Sequence, residues 1–420
     1  MIDMSTSYAG PSATMYLADL GADVIKLERP GGDDTRAWGP PFVAGESAWF
    51  ASANRNKRSI CVDLRSPDGC AVLHDLLATA DVLVENLNPA KLSQLAIDPA
   101  TLRARYPRLV YCAFSGFGLT GPDAELPGYD LVAQARSGLM SVTGAAGGQP
   151  QRVSTALSDI VTGLAAAVAI IAALRRAERT GQGDLVDVSL LDTDLALMAP
   201  RIASYLGGDP EPAPSGGTDS VLAVYQPFAT ADRPIVVAVG NDAIWRRLCA
   251  CTGLSDLAAD PALGDNAGRR RHRQRVVAEL AEVLRGEPAA HWLALFDSAA
   301  IPATVIKSLS EVVADPQVVA RGSILELPID PSPPAEASAG WTLAGGTLAG
   351  QAQADGRRAV NHAVMAPWRL ADCPPPLRRP PRLGEHTIAV LREIGLDGDL
   401  ITRLHAAGVL ASEQTSTATA

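Results

Sequence analysis

This chain has no paired metal ligands. Its six cysteines (61, 70, 112, 249, 251 and 373) and six histidines (74, 272, 291, 362, 386 and 405) are scattered. Zinc sites bring their donors in close pairs. Only Cys249 and Cys251 stand two apart, in the helical stretch "IWRRLCACTGL", and no second pair completes a site. No metal is therefore expected, and such sparse cysteine suits reduced thiols in a cytoplasm. No secretory leader is expected either, because "MIDMSTSYAGPS" has neither a basic start nor a long apolar run. The longest apolar stretch, 160–174, is Ala-rich and too short to span a bilayer, so it reads as a buried core helix. No "GxGxxG" follows the first strand, where the turn is "SYAGPSATM", and no "GxSxG" occurs, which argues against a dinucleotide and against serine hydrolase chemistry. Aromatic residues make up 5% of the chain, and none interrupts the basic run "RRRHRQR" (269–275). That run reads as a solvated helix face rather than a nucleic-acid surface. Net charge is −10, from 36 basic and 46 acidic residues, which also disfavours a general nucleic-acid binder.

What is present is alternation. "ADVIKLE" (22–28), "SICVDL" (59–64), "DVLVEN" (81–86) and "LVYCAF" (109–114) are short β-branched runs. Helical patterns lie between them, such as "SPDGCAVLHDLLATA" (66–80), where Ser66 suits the cap and Pro67 the first turn. This spacing predicts an α/β fold with a parallel sheet that binds ligands at the carboxyl ends of its strands. "MIDM" (1–4) reads as the tail of a first strand, so the chain starts inside it. "GGDPEPAPSGG" (207–217) reads as a linker. "VLAVYQPFATADRPIVVAVG" (221–240) gives two more strands, and helices follow over 241–300. Residues 331–360, rich in Pro, Ala and Gly, read as an exposed insertion, 383–396 resumes helical periodicity, and "ASEQTSTATA" (411–420) reads as disordered. With 420 residues, the chain has room for two or three domains.

One acid stands out. Asp159 opens the oily helix "LSDIVTGLAAAVAIIAALRRAERTG". One reading is that Ser158 or Asp159 is the N-cap. The other is a nucleophile. A helix N-terminus favours negative charge and should keep the carboxylate ionised at neutral pH. Shielded from water, such a carboxylate can attack a carbonyl and hold the acyl group as an anhydride. Arg29, Arg55, Lys57, Arg58 and Arg65 cluster near strand ends. They read either as solvated charge or as cations for phosphates. "SGFG" (115–118) reads as a glycine turn after a strand, and His386 as a residue that caps or orients a helix start.

Several stretches together resemble the class III coenzyme A transferases of CaiB/BaiF type. They are "YAGPSATMYLADLGADVIKLERPGGDDTR", "NRNKRSICVDL", "DVLVENLNP", "SGFGLTGP", "PGYDLVAQARSGLMSVTG", "ALSDIVTGLAAAVAIIAALRRAERTGQGDLVDVSLLD" and "LGEHT". The family includes formyl-CoA:oxalate and carnitine CoA-transferases and the α-methylacyl-CoA racemases. The likeness runs in order over nearly the whole chain, sparing 331–360 and the tail.

The resemblance implies a large Rossmann-like domain built from both chain ends (1–200 and 330–412) and a smaller α/β domain (218–325). A linker at 206–217 and a disordered tail at 413–420 complete the expected layout. It also implies an interlocked homodimer, cytoplasmic, acting on acyl-CoA and carboxylic acid substrates, with no cofactor beyond CoA and no nucleic acid or membrane partner. The family's catalytic aspartate falls on Asp159, which would form an aspartyl-acyl anhydride. Its CoA-contacting positions fall on Tyr8, Ala9, Arg29, Val62, Asp63, Leu64, Arg65, Asn86, Leu87, Gly128, Tyr129 and Asp130. A family arginine falls on Gln94, with Lys91 as a substitute one turn earlier, and Gly216 and Gly217 stand where transferases carry a mobile glycine loop. Racemases have a histidine at the position of Tyr129. A phenol, with pKa about 10, is a poor base at neutral pH, so an acyl-CoA:carboxylate CoA-transferase is expected, with a 2-methylacyl-CoA racemase as the alternative.

Overall fold

The computed structural model describes residues 1–329 and 360–412, and the chain divides into two units. The first comprises Met1–Ser137, Ser154–Leu197 and the described residues from Val313 onward, and the second comprises Gly138–Val153 and Met198–Val312.

Seven strands build the sheet of the first unit. They are β1 (Ile2–Asp3), β2 (Ile25–Glu28), β3 (Arg58–Val62), β4 (Val82–Glu85), β5 (Val110–Ser115), β6 (Leu185–Ser189) and β7 (Leu410–Ala411). Their order is β7-β3-β2-β1-β4-β5-β6. Neighbours are parallel except β7, which runs antiparallel to β3 with Leu410 opposite Val62. Strands covered on both faces need apolar residues without alternation. Ile60–Val62, Val82–Val84 and Val110–Cys112 are buried throughout. Without β7 this is the strand order of doubly wound α/β folds, whose direction reverses between β1 and β4. The sequence reading did not pick out β6 or β7.

Five helices matter for the site: α1 (Ala9–Asp19), α2 (Pro67–Ala78), α3 (Asp130–Arg136), α4 (Leu157–Thr180) and α5 (Leu190–Leu197). The Ser66 side chain caps α2, accepting from the Gly69 amide at 2.9 Å. The apolar run expected to be too short for a bilayer belongs to a 24-residue helix, α4, which by length and composition alone could cross one. It lies against β5, β6 and α1, burying Thr162, Gly163, Ala166, Ala167 and Ile170. Its crossing with α1 depends on Gly163. A Cβ there would stand 2.1 Å from Ser12 Oγ and 2.9 Å from the Ala9 carbonyl.

Beneath the carboxyl ends of β1 and β2 lies a buried charge network. Lys57 Nζ donates to Asp3 Oδ2 at 2.9 Å, to Asn54 Oδ1 and to the Pro11 carbonyl. Lys26 Nζ donates to the Ser5 carbonyl at 2.8 Å and pairs with Asp33. Arg55 and Asp19, both buried, form a second pair. Arg55 and Lys57, weighed above as phosphate ligands, are thus internal.

The second unit has a three-stranded antiparallel sheet, Ala303–Val305, Ile235–Ala238 and Tyr225–Phe228, packed with helices that bury Trp245, Leu248, Leu280, Trp292 and Phe296. The basic run is not wholly solvated. Arg269 is buried, its guanidinium over the Trp245 ring, bonded to the Leu263 carbonyl and paired with Asp242.

The unit boundaries differ from the expected ones in three places. Residues 138–153 group with the smaller unit, where Gly144 accepts from the Gly216 amide at 2.9 Å. The stretch 206–217 lies inside that unit, and the chain changes units at Leu197–Met198. Gly216 and Gly217, at φ of 62° and 86°, form a tied turn, with the Ser215 and Thr218 hydroxyls each bonded to the other's carbonyl. Residues 313–325 group with the larger unit, because Ile324–Pro328 pairs with Val360–Val364. Of the segments expected to be irregular, 330–359 and 413–420 lie outside the described residues, while Ala411 is in β7.

Candidate active site

Asp159 sits in the first turn of α4, and neither it nor Ser158 is the cap. The N-cap is Ala156, which offers no side chain for the purpose. Two neighbouring helices supply acids to that end of α4 instead. Asp130, the first residue of α3, accepts from the Ser158 amide at 2.9 Å and from Gln134 Nε2 at 2.8 Å. Asp194 of α5 accepts from Ser158 Oγ at 2.8 Å. Asp194 is fully buried, and its Oδ1 has no hydrogen-bond partner among the described residues. Asp159 itself accepts no hydrogen bond from any described residue, so its lone pairs are uncommitted.

The charge state of Asp159 departs from the sequence expectation. Burial first, then the Asp130 and Asp194 carboxylates, push its pKa up to about 7. A helix terminus stabilises a charge by about 0.3–1 kcal/mol, less than one pKa unit. Desolvation and two like charges outweigh it. Burial also raises Asp194, with Asp130 adding to the shift and the Ser158 hydroxyl opposing it.

Other residues named from the sequence surround this point. Tyr8 and Ala9 lead into α1, whose Ala9 carbonyl lies against Gly163, one turn along α4 from Asp159. The Tyr8 ring meets Trp49 edge-on, with centroids 5.4 Å apart. Gly128 backs onto Gly116 at the end of β5 so closely that a Cβ on Gly128 would stand 2.3 Å from the Gly116 Cα. This crossing of backbones carries Tyr129, 62% exposed, and Asp130 to the start of α3.

The remaining residues gather at the carboxyl ends of β1–β4, around a cavity of about 510 Å³. Arg29, Val62, Asp63, Leu64, Arg65, Leu87 and Lys91 line it. Asn86 clamps the β1 end, accepting from the Thr6 amide at 3.0 Å and donating to its carbonyl at 2.9 Å. Three cations face weak or exposed partners. Arg65 forks onto Asp63 at 2.8 Å, holding that carboxyl near 2; Arg29 pairs with Asp34; Lys91 donates to Gln94 at 3.2 Å. Gln94 does not line the cavity and Lys91 does. Asp159 also lies outside its lining, so the structure places the named residues in two groups, one at the cavity and one at the head of α4.

Sequence reasoning missed Asp194 and Gln134, and weighed Ser158 only as a cap. The signal was there in "LLDTDLAL", an acid inside an otherwise apolar helix, which must face a polar partner if it is buried.

Residues 1–387 match the model of CoA-transferase family III. A succinate–glutarate CoA-transferase of Agrobacterium fabrum is 39% identical over 94% of this chain and 94% of its own length. A succinyl-CoA:glutarate CoA-transferase of Homo sapiens is 36% identical over 99% of this chain and 90% of its own. Among solved structures, a CaiB/BaiF family protein from Brucella suis superposes with a TM-score of 0.76 at 34% identity, over 94% of this chain and 97% of that one.

The raised pKa of Asp159 makes a stability prediction. Its folded value lies above its ordinary 3.8, so folding favours the neutral form. Stability falls as pH rises from 3.8 to about 7 and is level above that. Asp159→Asn removes this penalty. The substitution should raise the melting temperature more at pH 8 than at pH 4; an equal gain at both would contradict the assignment.

Proposed function

The chain belongs to CoA-transferase family III and is an acyl-CoA:carboxylate CoA-transferase, and we propose that it works through an aspartyl anhydride at Asp159. The supporting observation is a half-buried carboxyl at the head of α4 with no described hydrogen-bond partner and two acids beside it. In the ionised form, an Asp159 oxygen attacks the thioester carbonyl carbon. The new C–O bond gives a mixed anhydride, and the C–S bond breaks with its electron pair on sulfur, releasing CoA thiolate. For the donor acid to leave as a carboxylate, the thiolate must then attack the aspartyl carbonyl, forming an aspartyl-CoA thioester. The acceptor carboxylate repeats the sequence in reverse, and Asp159 is regenerated. Each step exchanges one activated carbonyl for another, so no ATP is consumed, and the route draws on no metal or further cofactor. Burial protects both intermediates from hydrolysis.

CoA is assigned to the cavity at the ends of β1–β4, with Arg29, Arg65 and Lys91 meeting its phosphates and the strand-end backbone at Val62–Leu64 meeting adenine. Tyr8, Ala9, Asn86, Leu87 and Gly128–Asp130 would carry the arm of CoA from there toward Asp159. Because the relatives named above act on succinate and glutarate, which carry two carboxyl groups, short dicarboxylic acids and their CoA thioesters are the proposed substrates. Two copies would interlock as a dimer, which accords with the exposed apolar side chains Leu126, Leu131, Val132, Val168 and Ile171 on the first unit.

Three measurements test this reading. Mixing the protein with succinyl-CoA and quenching with hydroxylamine should leave a hydroxamate at position 159, read by peptide mass spectrometry, and Asp159→Asn should lose at least about a thousandfold in kcat. A scar elsewhere, or full turnover by Asp159→Asn, removes the nucleophile. Arg65→Ala and Lys91→Ala should each raise KM for the acyl-CoA by about tenfold with kcat little changed, as expected for loss of a charge-assisted phosphate contact; unchanged KM in both would move CoA elsewhere. Light scattering should give twice the chain mass, and a monomer would end the dimer proposal.

A further inference from the structure

Asp194 has no place in the route just described, yet it is a fully buried carboxyl joined through one hydroxyl to the residue before the nucleophile. Its Oδ2 holds Ser158 Oγ at 2.8 Å, with Ser137 Oγ at a longer 3.5 Å. Its Oδ1 is buried with no partner among the described residues. A neutral amide oxygen would also accept from a serine hydroxyl, so holding Ser158 does not by itself require an acid here. The extra feature of the acid is its charge. The titratable groups bearing on Asp159 are Asp130 from α3 and Asp194 from α5, both acids. α1 brings Ser12 and the Ala9 carbonyl to α4 at Gly163, with no charged group in that contact.

We propose that Asp194 is a positioning residue for acyl transfer: it fixes the first turn of α4 through Ser158, and its charge keeps the Asp159 anion at raised energy until the nucleophile is acylated. The inference rests on Asp159 being the nucleophile. Acylation converts the carboxylate into a neutral anhydride and moves the negative charge onto the departing sulfur. Repulsion from Asp194 is present before the attack and relieved after it, so it acts on the barrier rather than on binding of the acyl-CoA. The same repulsion raises the basicity of Asp159, and a more basic oxygen is the stronger nucleophile.

Asp194→Asn keeps an acceptor for Ser158 and removes the charge. It should shift the acidic limb of the kcat/KM profile, set by Asp159 near 7, downward. The plateau kcat should fall by roughly tenfold while KM for succinyl-CoA stays within about twofold. Ser158→Ala keeps the charge and cuts the link; it should lower kcat by roughly tenfold without moving the limb downward, and it keeps the proposal testable if Asp194→Asn does not fold. An unmoved limb and an unchanged kcat in a folded Asp194→Asn overturn the charge role, and an unchanged kcat in Ser158→Ala overturns the positioning role. Asp159→Asn run alongside separates the two readings. If it is active, the nucleophile assignment fails; if it is inactive and Asp194→Asn behaves as wild type, only the present inference fails.

Discussion

The structure turns on keeping a carboxylate largely out of water at the head of α4. Burial costs a charged group several kcal/mol unless hydrogen bonds or a counter-charge compensate. Asp159 has neither among the described residues, and the field of the helix terminus is too weak to replace them. Two donors at that end of α4 are committed elsewhere, since the Ser158 amide serves Asp130 and its hydroxyl serves Asp194. The chain thus maintains an unfavourable group by packing around it. Fold energy spent this way is characteristic of a reactive position rather than a structural one.

The rest of the first unit makes that packing possible. The sheet order places β1 and β4 side by side at the reversal point, and the Asn86 clamp on Thr6 ties their ends together. Four residues later Gly10 closes against Ser5, where a Cβ would stand 2.3 Å from the Ser5 Cβ, so α1 departs in one direction only. Gly163 then lets α4 lie against α1 with the small Ser12 side chain at the crossing. Below, Lys57 and Lys26 satisfy Asp3, Asp33 and the carbonyls of Ser5 and Pro11. An ion network this buried gains little net stability, but it fixes where the strand ends point. The cavity at the strand ends and the head of α4 therefore both take their positions from the same short segment, residues 3–12.

What could be read from the sequence followed physical periodicity. The β-branched runs at 25–28, 58–62, 82–85 and 110–115 are strands because a doubly covered parallel strand has no polar face to disguise it. Ser66 with Pro67 marked a helix start because capping is local chemistry. β6 escaped because "LVDVS" alternates and is too short to separate from the flanking helices. β7 escaped because two residues at the end of a helical segment carry no period at all. The placement of 138–153 with the smaller unit depends on a contact with Gly216 some seventy residues away, which no local pattern encodes. Asp159 was visible as an unusual residue, but its protonation was not. Helix position is a one-dimensional property, whereas the burial and the acids at 130 and 194 that overrule it exist only in three dimensions.

Such an arrangement suits an exchange between carboxylic acids better than it would suit hydrolysis. A hydrolase must activate water, and needs a base left ionised and wet near the acyl group. Here the acids beside Asp159 are committed to Ser158 and buried. An incoming carboxylate needs no deprotonation, because it arrives already charged at neutral pH. What it needs is a carbonyl still activated on arrival, which an anhydride or thioester provides only while water stays out. In the proposed route, the same desolvation that makes Asp159 costly to ionise also preserves the intermediate. Nucleophilicity and protection from hydrolysis have one physical source, and a change that wetted the head of α4 would lose both together.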